Sequence, residues 1–421
     1  MTKQQFLIGS ATAGGQTEGN NDNSDIWAQE YMKTGGYKEH SGDAADQYHT
    51  YKEDIKLMHE AGLNAYRFSF EWARIEPEKG VFDEEEMDHY LDVIHTCREY
   101  GIEPVVTLLH FACPKWLITE GGWEADTTPD YFAEYAHYCA EHLKNEDIKY
   151  IVTINEANMG TLIAGYLEKI MKHTEGAGLQ IGLDLNQKED QKELEKEENM
   201  EVFGVETANV FTSPRTPHGD EIVCEAHKKA VEVLHKVLPD TKVGLSLSIR
   251  DLQYTEGGKE NADKDWEKDF LHYLPTIKND DFFGIQTYTR AIFSENGEED
   301  PAEGKEVTQM GYEYYPECVG NVVRRVHESF KGDLLITENG IATADDERRV
   351  DYITTAMQCV QECLDEGIPL KGYMHWSFID NWEWQSGYSM QFGLVSLDRE
   401  NQIHTPKPSL YHLGSYTNKI K

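Results

Sequence analysis

Two glutamates directly follow patterns of buried strands, far apart in the sequence. Glu338 comes two residues after the apolar run 334–336, and Glu156 follows the largely apolar stretch 150–154. Because ligands of parallel sheets bind beyond the carboxyl ends of the strands, both carboxylates are expected at one rim of such a sheet. Most enzymes that hydrolyse a glycosidic bond use two carboxyl groups, so this pair indicates that chemistry.

The two carboxyl groups must differ in charge for such a reaction. In its retaining form they lie about 5 to 5.5 Å apart, one attacking as an anion and the other giving a proton. Arg67, a cation in an apolar strand pattern, and Tyr288, which follows another strand, would keep the attacking group ionised. Arg67 could instead pair with a structural carboxylate. Burial and the charge of its partner would raise the pKa of the second carboxyl group.

Strand patterns alternate with helix patterns along the whole chain. The stretches that predict strands are 6–13, 64–70, 104–109, 150–154, 242–249, 282–287, 333–338 and 370–376. Length alone allows two or three domains. Because eight such units follow one another without a linker of Pro, Gly or Ser, we predict one α/β domain over residues 1–421. Its predicted fold is a single (β/α)8 TIM barrel with a charged surface insertion near 183–205.

Composition narrows the possible partners. The formal net charge is −38, from 77 acidic and 39 basic residues, which would repel nucleic acid and anionic membranes. The sequence contains no signal-peptide pattern or membrane span, and its seven cysteines lack metal-type spacing. We therefore expect a reduced, cytoplasmic protein without a metal or other cofactor, acting on a small neutral substrate. The number of chains that associate stays open.

Four longer motifs carry a resemblance to a known family. They are ITENG at 336–340, TINE at 153–156, YRFSFEWARI at 66–75 and GYMHWSFIDNWEWQSG at 372–387. Together they resemble glycoside hydrolase family 1, the β-glucosidase family, over essentially the whole chain. The resemblance implies hydrolysis of terminal β-D-glycosides by a retaining mechanism, with Glu338 as nucleophile and Glu156 as acid/base.

The resemblance also implies how the sugar is bound. Asn155 would hold its 2-hydroxyl group, while Arg67 and Tyr288 would contact the nucleophile. The outer hydroxyl groups would be bound by Gln16, His110, Glu383 and Trp384, and the sugar would stack on Trp376. Flat indole rings suit the apolar face of a pyranose. His110 could instead be a core histidine, and alternation assigns Trp382, between Asn381 and Glu383, to the core.

Three positions depart from the pattern of the family. Ala157 stands where a Pro is usual, Phe111 where a Trp is common, and Gln286 where an Asn is usual. The branch of the family that cleaves 6-phosphorylated sugars replaces the glutamate at 383 and adds a lysine shortly after it. This chain keeps Glu383 and has no Lys or Arg from 385 to 398, so an unphosphorylated sugar is expected.

Several alternatives remain at this point. The preferred sugar could be glucose, galactose or fucose. A transglycosidase would use the same covalent intermediate and pass the sugar to an acceptor other than water. A non-catalytic sugar-binding protein on the same barrel would be expected to lack one of the two glutamates, and both are present.

Overall fold

Short apolar runs form the strands of one parallel sheet. The computed structural model describes residues 5–172 and 189–420. Its strands are β1 (Leu7–Ala11), β2 (Ala65–Ser69), β3 (Glu103–Leu109), β4 (Tyr150–Ile154), β5 (Lys242–Gly244), β6 (Ser246–Ser248), β7 (Asp251–Tyr254), β8 (Phe282–Gln286), β9 (Arg290–Ser294), β10 (Gly297–Glu299), β11 (Asp333–Asn339), β12 (Leu370–Trp376), β13 (Val395–Asp398) and β14 (Ile403–Pro406). Nine of them pair in the order β5-β4-β3-β2-β1-β12-β11-β8-β6.

The sheet closes on itself through the fifth predicted strand. The stretch 242–249 is divided at Leu245 into β5, which pairs with β4, and β6, which pairs with β8. The backbone carbonyl of Leu245 accepts a hydrogen bond of 2.9 Å from the N–H of Gly284, which joins the two halves to β8. Because β5 and β6 are consecutive in the chain, the sheet forms a barrel. The predicted (β/α)8 fold class is confirmed, although the fifth strand was predicted as one piece.

Helices connect the strands and cover the outside of the barrel. They are α1 (Gly14–Thr17), α2 (Asp25–Glu30), α3 (Gln47–Ala61), α4 (Trp72–Ile75), α5 (Glu84–Glu99), α6 (Lys115–Thr119), α7 (Thr128–Leu143), α8 (Met159–Lys172), α9 (Glu189–Val202), α10 (Pro217–Val237), α11 (Lys259–Trp266), α12 (Leu274–Ile277), α13 (Cys318–Ser329), α14 (Asp346–Asp365) and α15 (Pro408–Gly414). Short 3₁₀ turns lie at Gly122–Glu124, Trp384–Ser386 and Ser415–Asn418, and a π-helical turn at Glu267–Leu271. The α5 helix shows how local sequence fixes an end, because the Asp83 carboxylate accepts the N–H groups of Glu85 and Glu86.

Side chains of the barrel strands alternate between its interior and the helix layer. Interior apolar residues at the amino ends of the strands include Leu7, Ala65, Val105, Tyr150, Phe282 and Leu335. Their sequence neighbours Ile8, Tyr66, Val106, Ile151, Phe283 and Ile336 belong to the larger cluster that includes helix residues. The interior residues fill the amino end of the barrel, so polar side chains in its interior must lie toward the carboxyl ends.

Two smaller sheets follow the barrel strands and were not predicted. One contains β10, β9 and β7, and the other is the hairpin of β13 and β14. Of the charged insertion predicted near 183–205, residues 183–188 lie outside the described residues, and 189–202 form α9. The Glu198 carboxylate of α9 accepts the backbone N–H groups of Lys33 and Thr34, so this helix contacts the loop after α2. Within the described ranges, each helix is too short or too polar to span a membrane.

Candidate active site

Arg67 lies at the centre of the polar residues inside the barrel. It comes two residues after Ala65 on β2, so alternation directs it into the interior, where it is fully buried. Its Nη1 donates to Glu338 Oε1 at 2.6 Å, and its Nη2 donates to Asn155 Oδ1 at 2.5 Å. Its Nε donates to Thr107 Oγ1 at 3.0 Å. The carboxylate that pairs with Arg67 is therefore Glu338.

A β-bulge in β11 determines where Glu338 points. Ile336 pairs with Ile285 of β8, but the next pair is Glu338 with Gln286, so Thr337 is an extra residue. With strict alternation Glu338 would share the outward face of Ile336, and the bulge turns its carboxylate into the barrel. Bulges commonly re-aim a side chain beside an active site.

The Glu338 carboxylate has a hydrogen-bond donor on each oxygen. Arg67 donates to Oε1, and the Tyr288 hydroxyl donates to Oε2 at 2.6 Å. Burial raises the pKa of Glu338 above its usual value, while the Arg67 charge and the Tyr288 hydroxyl lower it. These donors stabilise the ionised form of the carboxyl group.

Glu156 follows β4 at the same rim in an unusual backbone conformation. Its φ is 43°, in the left-handed region, which costs a residue other than glycine about 1–3 kcal/mol. The N–H of Glu156 donates to Ser246 Oγ at 3.2 Å. Burial and then the negative charge of Glu338 raise the pKa of Glu156 to about 8. Glu156 therefore keeps its proton near neutral pH, while the donors on Glu338 favour the ionised form there.

Asn155 connects Arg67 to His110. Its Oδ1 accepts from Arg67 and, at 2.6 Å, from Gln286 Nε2, so its amide nitrogen faces His110 Nε2 at 3.2 Å. Because that nitrogen is a donor, His110 Nε2 accepts and the imidazole proton is on Nδ1. Burial lowers the pKa of His110 well below its usual value, so the imidazole is neutral.

Several buried polar atoms around the pocket lack a hydrogen-bond partner among the described residues. They are His110 Nδ1, Gln286 Oε1 and Gln16 Oε1. Buried polar atoms are nearly always paired in folded proteins, and an unpaired one needs an explanation. One unpaired donor and two unpaired acceptors match the hydrogen-bonding capacity of sugar hydroxyl groups, each of which can donate and accept.

Gln16 and Glu383 form a second pair of polar side chains near Glu338. Gln16 Nε2 donates to Glu383 Oε2 at 3.2 Å and to the carbonyl of Trp382 at 3.0 Å. Burial, followed by the negative charge of Glu338, raises the pKa of Glu383 to about 8. Trp376, at the end of β12, hydrogen-bonds Glu383, and its indole stacks on His110 with ring centres 5.4 Å apart.

Two further tryptophans follow β12. Trp384 is 8% exposed and lies 5.6 Å from the Phe111 ring, whereas Trp382 is fully buried and stacks on Tyr37 at 5.4 Å. Alternation thus predicted the burial of Trp382 correctly. Every side chain predicted for the site belongs to this one group of contacts at the carboxyl ends of the strands. His110 is buried, but its contacts are with Asn155 and Trp376 of the pocket.

The structure shows the local contacts at each of the three positions that depart from the family pattern. Ala157 has a backbone N–H that donates to the Ser246 carbonyl at 2.9 Å, a bond that proline could not make. Phe111 adopts a φ of 68° and packs between His110, Phe211 and Trp384. The longer side chain of Gln286 reaches Asn155 directly.

Sequence reasoning missed two residues that face the carboxylates. The Ser248 hydroxyl bonds to Glu156, and the charges of Glu383 and Glu156 act on the hydroxyl of Tyr312. Tyr312 lies in the segment after β10, where three tyrosines occur within 312–315. An aromatic cluster in a loop beyond a carboxyl-terminal strand end is a signal that could have identified it.

The described residues contain no group of three or more His, Cys, Asp or Glu side chains arranged to hold a metal ion. The donors and carboxyl groups in the pocket instead contact one another, as with Arg67 and Glu338 or Gln16 and Glu383. The arrangement offers a carboxylate with a hydrogen-bond donor on each oxygen, two further carboxyl groups of raised pKa, and unpaired polar atoms beside them.

A (β/α)8 barrel that holds such a carboxyl pair at the carboxyl ends of its strands defines the class of the protein, a glycoside hydrolase. The profile described as "Glycosyl hydrolase family 1" matches residues 1–420, and the chain belongs to this family. The family predicted from the four motifs is therefore confirmed.

Three relatives illustrate the range of the similarity. The crystal structure of β-glycosidase BGL167 has a TM-score of 0.89 and 39% identity, covering 99% of this chain and 97% of that one. Beta-glucosidase A of Thermotoga maritima is 28% identical over 474 residues, 99% of this chain and 97% of its own length. The 6-phospho-beta-galactosidase of Clostridium acetobutylicum is also 28% identical, over 472 residues, with the same two coverages.

Proposed function

We propose that this protein is a retaining β-glycosidase that hydrolyses terminal, unphosphorylated β-D-glycosides. The observation that carries the proposal is the asymmetric pair of carboxyl groups. Glu338 accepts hydrogen bonds from Arg67 and Tyr288, while burial and the charge of Glu338 raise the pKa of Glu156 to about 8. One carboxyl group is prepared to attack and the other to donate a proton, as the retaining mechanism requires.

The reaction would proceed in two steps. In the first, Glu338 attacks the anomeric carbon while Glu156 gives its proton to the departing oxygen, which leaves a covalent glycosyl-enzyme. In the second, the ionised Glu156 takes a proton from water, which attacks the same carbon and releases Glu338. Loss of the Glu338 charge on glycosylation lowers the pKa of Glu156, which suits its change from acid to base.

The proposed sugar site uses the polar atoms around the carboxyl pair. Asn155 would hold the 2-hydroxyl group with its amide nitrogen, while Gln16, His110, Glu383 and Trp384 would bind the outer hydroxyl groups. The apolar face of the pyranose would stack on the indole of Trp376. The unpaired atoms of Gln16, His110 and Gln286 support this assignment, because sugar hydroxyl groups would complete their hydrogen bonds.

The preference for an unphosphorylated sugar rests on charge. Glu383 and Glu338 lie near each other in the pocket, and residues 385–398 contain no Lys or Arg that could balance a phosphate. A dianionic phosphate in a buried pocket would be repelled by the Glu338 carboxylate and would lack a cation to balance its charge. Beta-glucosidase A is the name of the Thermotoga maritima relative, which agrees with this proposal, while the Clostridium acetobutylicum relative is named for a phosphorylated galactoside.

Two further proposals concern the chain as a whole. We propose that it forms one domain with a charged surface insertion near 183–205, supported by the exposure of most described residues of α9. We also propose a cytoplasmic location, because all seven cysteines are free thiols and six of them are buried.

The first test is a panel of p-nitrophenyl β-glycosides that carry glucose, galactose, fucose or glucose 6-phosphate. We expect release of p-nitrophenol from at least one unphosphorylated substrate, with no turnover of the phosphorylated one. NMR of the first-formed sugar should show the β-anomer, because two displacements retain configuration. A first-formed α-anomer would contradict the retaining mechanism, and preferential cleavage of the phosphorylated substrate would contradict the sugar assignment.

The roles within the pair are tested by removing the nucleophile. Glu338→Gly should reduce the rate at least about 10⁴-fold, because the covalent step is lost. Added azide should restore turnover and give the α-glycosyl azide, since a small anion can enter the space beside Arg67. Glu156→Ala is the control, because azide should give the β-glycosyl azide in that variant. Near-normal activity of either variant would contradict the assignment.

A further inference from the structure

The 382–388 loop carries Glu383 and Trp384, and the proposed function depends on where it places them. Gln16 holds this loop from the pocket side through bonds to Glu383 and the carbonyl of Trp382. Inside the loop, the N–H of Glu383 donates to the Gly387 carbonyl at 2.8 Å, and the N–H of Gly387 donates to the Trp384 carbonyl at 3.0 Å. These bonds shape the loop but do not connect its outer side to the protein.

The outer side of the loop is held by the segment 37–39, which follows α2. Trp382 Nε1 donates to the backbone carbonyl of Glu39 at 2.9 Å, and the backbone N–H of Tyr388 donates to Glu39 Oε2 at 3.0 Å. Tyr37 stacks on Trp382, and the N–H of Lys38 donates to the Gln385 carbonyl at 3.3 Å. Glu39 thus contacts both ends of the loop, one through its backbone and the other through its carboxylate.

Arg399 fixes the carboxylate of Glu39 in turn. Its Nη1 donates to Glu39 Oε1 at 3.1 Å, and its guanidinium group lies 3.4 Å from the centre of the Tyr388 ring. Arg399 lies in the turn between β13 and β14, so the hairpin, the segment 37–39 and the loop meet at these three side chains. Gly387 packs closely here, because a Cβ atom at this position would lie 2.6 Å from Glu39 Oε2.

We infer that Glu39, oriented by Arg399, is a positioning residue that holds Glu383 and Trp384 against the sugar. Glu39 touches neither the sugar site nor the carboxyl pair, and it acts through the 382–388 loop. The inference rests on the proposed function, because it assigns Glu39 to the binding of the outer sugar hydroxyl groups.

Kinetics of Glu39→Gln on p-nitrophenyl β-glucoside test the inference. The amide cannot pair with Arg399 as a charge and is a weaker acceptor for the N–H of Tyr388, so the loop is held less firmly. We expect KM to rise about three- to tenfold while kcat changes less than about twofold, because binding through Glu383 is affected and the carboxyl pair is not. Arg399→Met should give the same split, and Arg399→Lys should keep more of the wild-type KM.

A matched control is Glu366→Gln, at the end of α14. Glu366 is 47% exposed, against 45% for Glu39, and its carboxylate accepts from Arg324. The Glu366→Gln substitution removes one negative charge from a similar ion pair that lies away from the 382–388 loop. KM and kcat should therefore stay at wild-type values.

A double-mutant cycle separates positioning from a merely structural effect. Glu39→Gln should raise the KM of a Glu383→Gln variant by a smaller factor than it raises the wild-type KM, because part of the binding that it supports is already lost. The dissociation constant of glucono-δ-lactone, measured by calorimetry, should follow the same pattern without relying on turnover. Unchanged KM in both Glu39→Gln and Arg399→Met, or fully additive effects in the cycle, would overturn the inference. In either case wild-type hydrolysis of β-glycosides would leave the proposed function standing.

Discussion

The charges of Glu156 and Glu338 are linked at the level of single residues. Burial is the largest cause of the raised pKa of Glu156, and the negative charge of Glu338 is the second. Glu383 also contributes, but it is the last of the causes. The arrangement therefore predicts how each neighbouring carboxyl group influences the proposed acid.

Replacing Glu338 should change the titration of Glu156. In Glu338→Gln we expect the pKa of Glu156 to fall from about 8 and to stay above the ordinary glutamate value of 4.5, because burial remains. Carbon NMR of labelled glutamate side chains measures it directly. Glu383→Gln is the control and should lower that pKa less. An unchanged pKa of Glu156 in Glu338→Gln would contradict the coupling.

The same raised pKa predicts the pH dependence of the wild-type enzyme. The first step needs protonated Glu156, and a raised pKa extends the protonated form upward in pH, so kcat/KM should decline only above about pH 8. At the acid end, protonation of Glu338 should reduce the rate. The pH profile of kcat/KM on p-nitrophenyl β-glucoside measures both limbs, and a decline already centred near pH 5 would contradict the role of Glu156.

At the scale of elements, the sequence predicted the eight strands of the barrel but neither the bends in those strands nor the two smaller sheets. Apolar runs that end on a carboxylate were enough to predict both glutamates at one rim. The extra residue Thr337 and the break at Leu245 left no such pattern, because each depends on pairing with β8, which is distant in sequence. The contact of Glu39 with Tyr388 spans 349 residues and was equally hidden.

The turn after β4 offers a test at this scale. Ala157→Pro would remove the N–H that donates to the Ser246 carbonyl and leave a buried acceptor without that partner. We expect the free energy of unfolding to fall by about 1–2 kcal/mol, measured by urea denaturation. Ala157→Ser keeps the N–H and is the control. Equal or greater stability of Ala157→Pro would show that this hydrogen bond contributes little.

The whole molecule carries a net charge of −38, and this charge must oppose folding through self-repulsion. Salt screens exposed charges over about 10 Å at 0.1 M. We therefore expect the Tm to rise by a few degrees between about 0.01 and 0.2 M sodium chloride, measured by scanning calorimetry at pH 7. Sodium sulfate at equal ionic strength controls for specific ion effects. A Tm that falls with added sodium chloride would show that attractive ion pairs outweigh the repulsion.

The pairing of β1 with β12, in which Leu7 lies opposite Gly372 and Ala11 opposite Trp376, has a consequence for synthesis of the chain. The barrel cannot close before β12 has been synthesised. One edge of β1 therefore stays unpaired while the more than 350 residues between the two strands are made. Exposed strand flanks invite association between nascent chains. Chaperones that bind nascent chains would therefore encounter β1 with one edge unpaired. Pairing of β1 with β12 is a late event in the folding of the chain.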